Sequence, residues 1–426
     1  MSTTVTLAST LAAILTISAW VAAIAHAQSA SGAVSSPTAA NGDLKPGVTI
    51  SAANADQYAK YLPAAAEFAL RHGFTIRVMP EHHVEWSEGF RHATEKYSPQ
   101  VALREDDTIE NYIAGMPFPL VDPADPKAAV KIAYNWHMGP FMPDDFSLAP
   151  WSSNGYSTDS SDPSKIIPQH DADYVCEQFD MLRLAHRTEV NPRPTLGETG
   201  AEWKAKCMNF SQFSGTAGEG AGMWIRYLDP HRPDEFYGFS EETRRVRRSA
   251  VNLEYPNEGC RGCHQPYWAY ALPKTEIYKY RLLGTTTILA CLAASDEPAG
   301  IKLSSDSIAL GEEPFEPRNA YILEMTPLSP EALARRTIVY VDSEIYVWLA
   351  AEFYDLSELT AVAMPLWRMH PSPEGGNLFD LAGNFYHPAG NASFFRSLVP
   401  AHTEFTQTIN GGQLSESAFV PSMLVR

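Results

Sequence analysis

Basic residues are scarce in this chain, which has 32 Lys and Arg against 50 Asp and Glu and a formal net charge of −18. Such an acidic protein is a poor binder of nucleic acid or of anionic lipid surfaces, because both attract positive charge. The chain also lacks G-x-S-x-G, H-E-x-x-H and a phosphate-binding glycine loop. An enzyme built on this sequence would therefore need catalytic residues that are scattered along it.

Charge is missing altogether from the first 27 residues. An apolar run over about residues 7–24 precedes an A-x-A pattern that ends at Ala27. We therefore predict a secretory signal peptide over 1–27, cleaved near Ala27, and a flexible polar leader over 28–43. An uncleaved membrane anchor is the alternative, because no basic segment precedes the apolar run. No other segment approaches the ~20 apolar residues of a spanning helix, so we expect a periplasmic protein.

Cysteine is rare, with five residues in the chain, but two of them lie in the C-x-x-C-H string of Cys260, Cys263 and His264. This pattern attaches c-type haem through both thiols, with the histidine as an axial iron ligand. A disulfide or dithiol that closes a loop is the competing interpretation, since Pro256 and Pro266 predict a loop here rather than a helix. A metal site and unreactive thiols are further alternatives.

The other three cysteines, Cys176, Cys207 and Cys291, fall on predicted strands. One disulfide could form among them if two Cα atoms came within about 7 Å, and one thiol would then be left over.

Patterns of apolar residues predict a helical N-terminal part and a strand-rich remainder. Helices are predicted from Asn54 to about His72, over 85–97, and over 126–134 with Asp125 as cap and Pro126 in the first turn. A strand is predicted over 74–79, and a two-residue turn at Asp342. Further strands are predicted over 174–190, 202–213, 222–229, 236–248, 276–292, 320–325, 335–341, 344–354, 359–369 and 394–405.

This run of strands with short connections predicts an α+β protein with one strongly curved, barrel-like antiparallel β-sheet. The N-terminal helices would cover one face of the sheet or plug one mouth. Residues 44–426 are predicted to form a single large domain, helical to about residue 150 and strand-rich afterwards.

One block of sequence carries a family resemblance. Residues 111–119 read NYIAGMPFP and are followed by Asp-Pro pairs at Asp122 and Asp125 and by KIAYN over 131–135. This block resembles the secreted bacterial family of domain of unknown function 1329. Similar segments lie at 45–47, 54–56, 93–97, 244–248, 278–284 and 336–355.

The resemblance covers nearly the whole mature chain and implies a likeness to outer-membrane lipoprotein-sorting proteins. Their fold is a half-open antiparallel β-barrel with helices over its concave side, and it shelters a lipid or acyl chain. The family supplies no catalytic residues to transfer. This chain departs from lipidated sorting proteins because it has no cysteine near Ala27, and from the family pattern because it carries C-x-x-C-H.

Two sets of residues are candidates for contact with a ligand or partner. In the basic run over 244–248, Arg245 and Arg247 would point to one side of a strand and could bind an anionic head group or an acidic partner. A solvated edge strand is the alternative. Trp136, Trp224 and Trp348 could face a bulky apolar ligand, or could simply be core residues.

A third candidate is His82-His83 with Glu85, which could contribute to a metal site but fits a surface loop better, because the spacing matches no established ligand set. Taken together, these features favour a binding or carrier protein for a lipid, sterol or aromatic compound, working with an outer-membrane or export partner. A haem or redox protein built on Cys260, Cys263 and His264 is the second hypothesis, and an enzyme with scattered residues is the third.

Overall fold

The structure is a computed structural model of the chain. It describes residues 44–139, 144–148, 151–158, 166–196, 205–215, 220–229, 232–240, 244–250, 275–294, 302–303, 308–309, 312–329, 334–355, 357–371, 377–388 and 393–398.

The described helices all lie in the N-terminal part or directly before a strand. A 3₁₀ helix over Ala55–Tyr61 is followed by α1 (Ala64–Arg71), α2 (Glu88–Tyr97) and α3 (Ala128–His137). Shorter 3₁₀ turns cover Ser98–Gln100 and Thr275–Ile277. The prediction of a single helix from Asn54 to His72 is wrong in one respect. The segment forms two helices divided at Pro63, whose ring and missing N–H interrupt the helical hydrogen bonds.

The other two helices occur where the sequence places them, but each begins later than expected. Helix α2 starts after Ser87, whose side chain accepts a hydrogen bond from the amide of Phe90. Helix α3 starts at Ala128 rather than at Pro126, because the Asp125 carboxylate accepts from the amide of Lys127 and closes a turn first.

Twenty strands make up most of the described chain. They are β1 (Thr49–Ile50), β2 (Thr75–Val78), β3 (Ala102–Leu103), β4 (Ile109–Glu110), β5 (Asp145–Leu148), β6 (Trp151–Thr158), β7 (Ile166–Arg183), β8 (Ala205–Gly215), β9 (Gly220–Tyr227), β10 (Glu235–Ser240), β11 (Arg245–Ala250), β12 (Tyr278–Ala290), β13 (Lys302–Leu303), β14 (Ile308–Ala309), β15 (Glu312–Pro327), β16 (Arg336–Asp342), β17 (Trp348–Asp355), β18 (Glu358–Pro371), β19 (Asn377–Pro388) and β20 (Ser393–Leu398).

One 16-stranded sheet dominates the fold, so the predicted α+β class is confirmed. Its main path runs β1-β2-β15-β16-β17-β18-β19-β20-β6-β7-β8-β9-β10-β11, with β12 paired to β15 and β5 paired to β7. The pairs are antiparallel except for β2 with β15, which is parallel. Over the described residues the sheet has two ends and is not closed into a barrel.

Several predicted strand boundaries differ from the observed ones. The strand expected over 236–248 is a hairpin of β10 and β11, in which Arg244 has a positive φ of 49° and Ser240 pairs with Arg245. The expected two-residue turn after β16 is a longer loop, because the Asp342 carboxylate accepts from the amides of Glu344 and Ile345. Strands β5, β6 and β19 were not predicted from the sequence.

Strand β18 lies at the centre of two cores, one on each face of the sheet. Ala361, Ala363 and Trp367 pack into a cluster that includes α2 and α3. Val362 and Met364, on the opposite face, pack into a second cluster that includes α1. The three helices are thus divided between the two faces.

Candidate functional site: an apolar layer beneath two helices

The larger cluster forms a layer between the sheet and helices α2 and α3, here called the apolar layer. Its members are Val84, Phe90, Met116, Ala129, Ile132, Ala133, Trp136, Met181, Tyr278, Ile288, Ala290, Leu292, Ala320, Tyr321, Leu323, Met325, Val339, Val341, Ile345, Tyr346, Val347, Trp348, Leu349, Ala350, Ala351, Phe353, Ala361, Ala363 and Trp367. Within it the Trp348 and Trp367 rings meet edge to face with centroids 6.1 Å apart, and Trp367 Nε1 donates to the Trp348 carbonyl over 2.8 Å.

Helix α3 contributes to the layer through one face. Ala129, Ile132, Ala133 and Trp136 follow helical spacing and are buried there. On the adjacent turn, the Asn135 side chain accepts from the Phe118 amide over 2.9 Å and donates to the Phe118 carbonyl over 2.6 Å. This pair of hydrogen bonds joins α3 to the segment 111–119.

The segment 111–119 is also held by its other neighbours, which gives this motif a structural role. The Thr94 hydroxyl of α2 accepts from the Met116 amide over 2.8 Å, and His186 Nδ1 lies 2.7 Å from the Ile113 carbonyl oxygen. Gly115 has a φ of 84°, and a Cβ there would lie 2.4 Å from the Thr94 nitrogen. Glycine is required at this position for both reasons.

The start of helix α2 is capped by a residue that is distant in sequence. The amide of Phe90 donates to Ser87 Oγ over 3.3 Å and to Glu189 Oε1 over 3.1 Å, and the Ser87 hydroxyl donates to the same carboxylate. Burial raises the pKa of Glu189, against the opposing effect of these hydrogen bonds. A Cβ on Gly89 would lie 2.4 Å from the Thr188 carbonyl oxygen, so only glycine lets the helix approach the loop this closely.

That loop is fixed in turn by two adjacent carboxylates at the start of β5. Asp144 accepts from the amides of Thr188, Glu189 and Val190 over 2.7–3.0 Å. Asp145 forms a two-point ion pair with Arg187, at 2.6 and 2.7 Å, and the arginine side chain is only 1% exposed. Buried pairs of this geometry are costly to break from one side.

A strap over residues 79–87 crosses from the β2 side of the sheet to helix α2. Its first amide, at Met79, donates to the Phe315 carbonyl over 2.7 Å. His82 Nδ1 contacts the Glu316 carboxylate, and His83 Nδ1 contacts that of Glu344. The strap then carries Val84 into the apolar layer.

Arg318 lies beneath the strap and joins its contacts into one network. Its guanidinium donates to Asp342 over 2.7 and 3.2 Å, to Glu344 over 2.6 Å and to the His82 carbonyl over 2.8 Å. Burial opposes the charge, but the carboxylates of Asp342, Glu344 and Glu316 raise the pKa of Arg318 above its ordinary value. Burial also raises the pKa of the Glu316 carboxyl.

The apolar layer approaches the surface along β12. Tyr280 and Leu282 are only partly buried where they pack against the layer. Within the described residues β12 pairs with β15 alone, so its other side is an edge. The pairing shifts between Leu282 and Gly284, and the intervening Leu283 is 40% exposed.

The five predicted contact residues fall in three places. Trp136 and Trp348 are both buried in the apolar layer, each with 2% exposure. Trp224 is on β9, where its backbone pairs with Asn209 and Phe236. Arg245 and Arg247 are exposed on β11.

The predicted haem or disulfide residues Cys260, Cys263 and His264 lie outside the described residues. A disulfide among the other three cysteines, which the sequence left open, does not fit the structure. Cys291 is a buried free thiol, and burial raises its pKa. Cys176 pairs with Phe213, whereas Cys207 pairs with Arg183. Seven positions along β7 correspond to about 23 Å, well beyond the ~7 Å between Cα atoms that a disulfide spans.

The expected metal residues His82 and His83 contact carboxylates that also surround an arginine. Over the described ranges, no group of three or more His, Cys, Asp or Glu side chains is arranged to hold a metal ion. Likewise, none of the helices in the described part of the chain is long and apolar enough to cross a membrane.

Three solved structures are similar to this chain at low identity. A "putative outer membrane lipoprotein-sorting protein domain" from Vibrio parahaemolyticus is 12% identical, with a TM-score of 0.44 over 71% of this chain and 100% of the other. A DUF1329 family protein from Desulfovibrio piger is 13% identical, with a TM-score of 0.43 over 69% and 96%. A LolA superfamily protein from Nitrosomonas europaea is 12% identical, with a TM-score of 0.37 over 70% and 99%.

The match to a protein family identifies this chain, whereas the three single structures are only 12–13% identical to it. No curated protein matches the sequence. Residues 49–372, which include the segment 111–119 and every strand from β1 to β18, match the family described as "Protein of unknown function (DUF1329)". The chain belongs to the DUF1329 family.

Proposed function

We propose that this protein is a periplasmic carrier that holds a hydrophobic ligand, such as a lipid, a sterol or an aromatic compound, in the apolar layer. It would exchange that ligand with an outer-membrane or export partner. The observation that carries the proposal is the partly exposed rim of the layer at Tyr280 and Leu282 on the edge strand β12. An apolar ligand entering there would meet aromatic and aliphatic side chains.

The way the covering helices are attached also supports a carrier. Helices α2 and α3 have ten residues each. The start of α2 is hydrogen-bonded to Glu189, and Asn135 of α3 is hydrogen-bonded to Phe118. The contact within the apolar layer is non-directional, so α2 and α3 would separate from the sheet there to admit a ligand. Hydrogen bonds of Tyr134 with Glu276 and of His137 with Thr275 would keep α3 attached to the turn before β12.

The proposal includes a strongly curved, half-open sheet with these helices on its concave side. Met181 of β7 belongs to the apolar layer together with Ala363 of β18. Strands β19, β20 and β6 separate β7 from β18 in hydrogen-bonding order, a distance of about 19 Å in a flat sheet. Membership of one packed cluster favours a sheet that curves around α3.

The periplasmic location rests on the sequence. The uncharged, apolar residues 1–27 have the composition of a secretory signal. Secretion would bring the acidic mature chain to the compartment through which lipids pass between two membranes.

The first experiment is native mass spectrometry of the full chain purified from the periplasm of its own cells. The proposal expects a non-covalent adduct that organic extraction removes, and that can then be identified. A second measurement is binding of Nile red, a neutral apolar fluorophore, to the extracted protein. A chain that carries no adduct and does not enhance Nile red fluorescence would refute the carrier function.

A matched pair of variants on β12 tests the location. Leu282→Glu places a charge at the rim of the layer and should weaken Nile red binding by about tenfold or more, because a buried charge without a partner is costly. Leu283→Glu makes the same change one residue away, at an exposed position, and should leave binding unchanged. Equal effects of the two substitutions would place the ligand elsewhere.

A further inference from the structure

Strands β7 to β11 form ladders in which directly paired residues share one face of the sheet. Three consecutive rows cross these strands. The first contains Cys176, Phe213, Gly220, Ser240 and Arg245, the second Phe179, Ser211, Gly222, Gly238 and Arg247, and the third Met181, Asn209, Trp224, Phe236 and Ser249. Arg245 and Arg247 are therefore on the same face as Met181, because side chains alternate in direction along every strand.

This shared face connects the two groups of candidate residues. Met181 is buried in the apolar layer, with 2% exposure. The second and third rows are neighbours on that face, so Arg247 lies four strand spacings from the strand that carries Met181, or about 19 Å along the sheet. The face thus passes from an apolar region beneath helix α3 to a pair of guanidinium groups at β11.

Two of the three rows carry little side-chain bulk on β9 and β10, whereas the row of Met181 holds Trp224 and Phe236 there. On β9 and β10 the rows that end in the two arginines contain Gly220, Gly222, Gly238 and Ser240. These residues place no long side chain beside the guanidinium groups, which are themselves exposed.

The two arginines also differ from their neighbour in their partners. Arg248 lies on the opposite face, where its guanidinium donates to Glu235 over 2.6 Å. Arg245 and Arg247 are both exposed, and no carboxylate of the described residues forms an ion pair with either. Two guanidinium groups at alternate positions of a strand, about 7 Å apart, suit the oxygens of one carboxylate or phosphate group.

We propose that the carried ligand is an amphiphile with an anionic head group, which Arg245 and Arg247 bind while its apolar part lies over the small-residue positions toward Met181. This inference rests on the carrier function proposed above and specifies its ligand class. The overall charge of −18 repels anions in general, so a local pair of cations on the ligand face gives a selective docking point.

The test is competition between two ligands that differ only in the head group. Extracted full-length protein is loaded with Nile red, and the dye is displaced with hexadecanoate or with hexadecanol. Hexadecanoate should displace it at a concentration about tenfold lower, because charge-assisted hydrogen bonds to a carboxylate are stronger than neutral ones. The preference should decrease as salt is added, since the arginines are exposed.

Variants on one strand separate this proposal from the carrier function. The double variant Arg245→Gln/Arg247→Gln should lose the preference for hexadecanoate and keep the affinity for hexadecanol. Arg248→Gln removes the same kind of charge from the opposite face and should keep the preference. Equal displacement by both ligands in the unmodified protein, or an unchanged preference in the double variant, would overturn the head-group site while leaving the carrier intact. Failure of Nile red itself to bind would remove both proposals.

Discussion

Arg318 and Asp342 form a two-point ion pair at 2.7 and 3.2 Å in which each side chain is only 1% exposed. The pair links β15 to the end of β16, and the same guanidinium reaches the carbonyl of His82 in the strap. A single buried cation thus holds together two strands and the segment that leads to helix α2.

Replacement of Arg318 with Met should destabilise the protein strongly. The substitution preserves much of the side-chain volume but leaves Asp342 buried without its cation and Glu316 with only its contact to His82. Removing one partner of a buried ion pair costs about 3–5 kcal/mol. The free energy of unfolding in urea, followed by tryptophan fluorescence, should fall by that amount.

The matched control for this variant is Arg281→Met on β12. Arg281 also forms a two-point pair, with Glu324 at 3.0 Å, but its side chain is 67% exposed. Glu324 itself is only 11% exposed, but it keeps Arg336 at 3.6 Å, and the Arg281 end of the pair lies in solvent. The loss should therefore be about 0–1 kcal/mol, and this variant should unfold near the urea concentration of the unmodified protein. Similar losses in the two variants would mean that burial is not what makes Arg318 important.

Replacement of Gly89 with Ala tests the close approach of helix α2 to the loop that follows β7. Alanine is favoured over glycine inside a helix by about 0.8–1 kcal/mol, so an open position would gain stability. Here the new Cβ would lie 2.4 Å from the Thr188 carbonyl oxygen, which is backbone and cannot rotate away. We expect a net loss of about 1–3 kcal/mol in the free energy of unfolding.

An exposed position of the same helix provides the comparison. Glu95→Ala removes a side chain that is exposed on α2 and should change stability by less than about 0.5 kcal/mol. If Gly89→Ala proved more stable than the unmodified protein, helix propensity would outweigh the contact and the loop would not constrain α2.

The Glu189 carboxyl should make stability depend on pH. Burial raises its pKa above the ordinary value of 4.5, so the folded state binds the proton more tightly than the unfolded state. Stability from this group is therefore present at low pH and is lost as the pH rises from 4.5 through the raised pKa. Glu189→Gln keeps an oxygen that can accept from the Phe90 amide but has no proton to lose.

The measurement is the difference in unfolding free energy between the unmodified protein and Glu189→Gln at several pH values. Relative to the variant, the unmodified protein should lose stability as the pH is raised from 4.5 to 7. Glu88→Gln, at an exposed position of the same helix, controls for the change in net charge. A difference that is the same at both ends of this range would contradict the assignment.

The elements that could be predicted from the sequence are those whose apolar pattern is local. Apolar residues recur with the period of a helix in α3 and with the period of a strand in β12 and β16–β18. The sequence therefore predicts each of these elements to within a few residues. Strand β6 was missed because its sequence WSSNGYST is polar and rich in turn formers. Its pairing with β7 and β20 determines its conformation, and such long-range pairing leaves no local pattern.

The polar anchors could not be predicted for the same physical reason. His82 contacts a carboxylate 234 positions away, and Glu189 caps a helix that begins 101 positions before it. The only local signal is the placement of Glu316 and Arg318 inside an otherwise buried strand, because charges in such positions need partners. That signal predicts a buried network but does not identify its other members.

The state of Cys260 and Cys263 can be tested by counting the cysteines that an alkylating reagent modifies. Cys291 is a free buried thiol, and the ladder of β7 and β8 holds the backbones of Cys176 and Cys207 apart. If Cys260 and Cys263 form the disulfide predicted from the sequence, an alkylating reagent added to the denatured, unreduced protein should modify three cysteines, and five after reduction. Covalent haem would instead add roughly 600 Da to the intact mass and protect two cysteines even after reduction. Modification of all five cysteines without reduction would exclude both forms and leave two free thiols in this string.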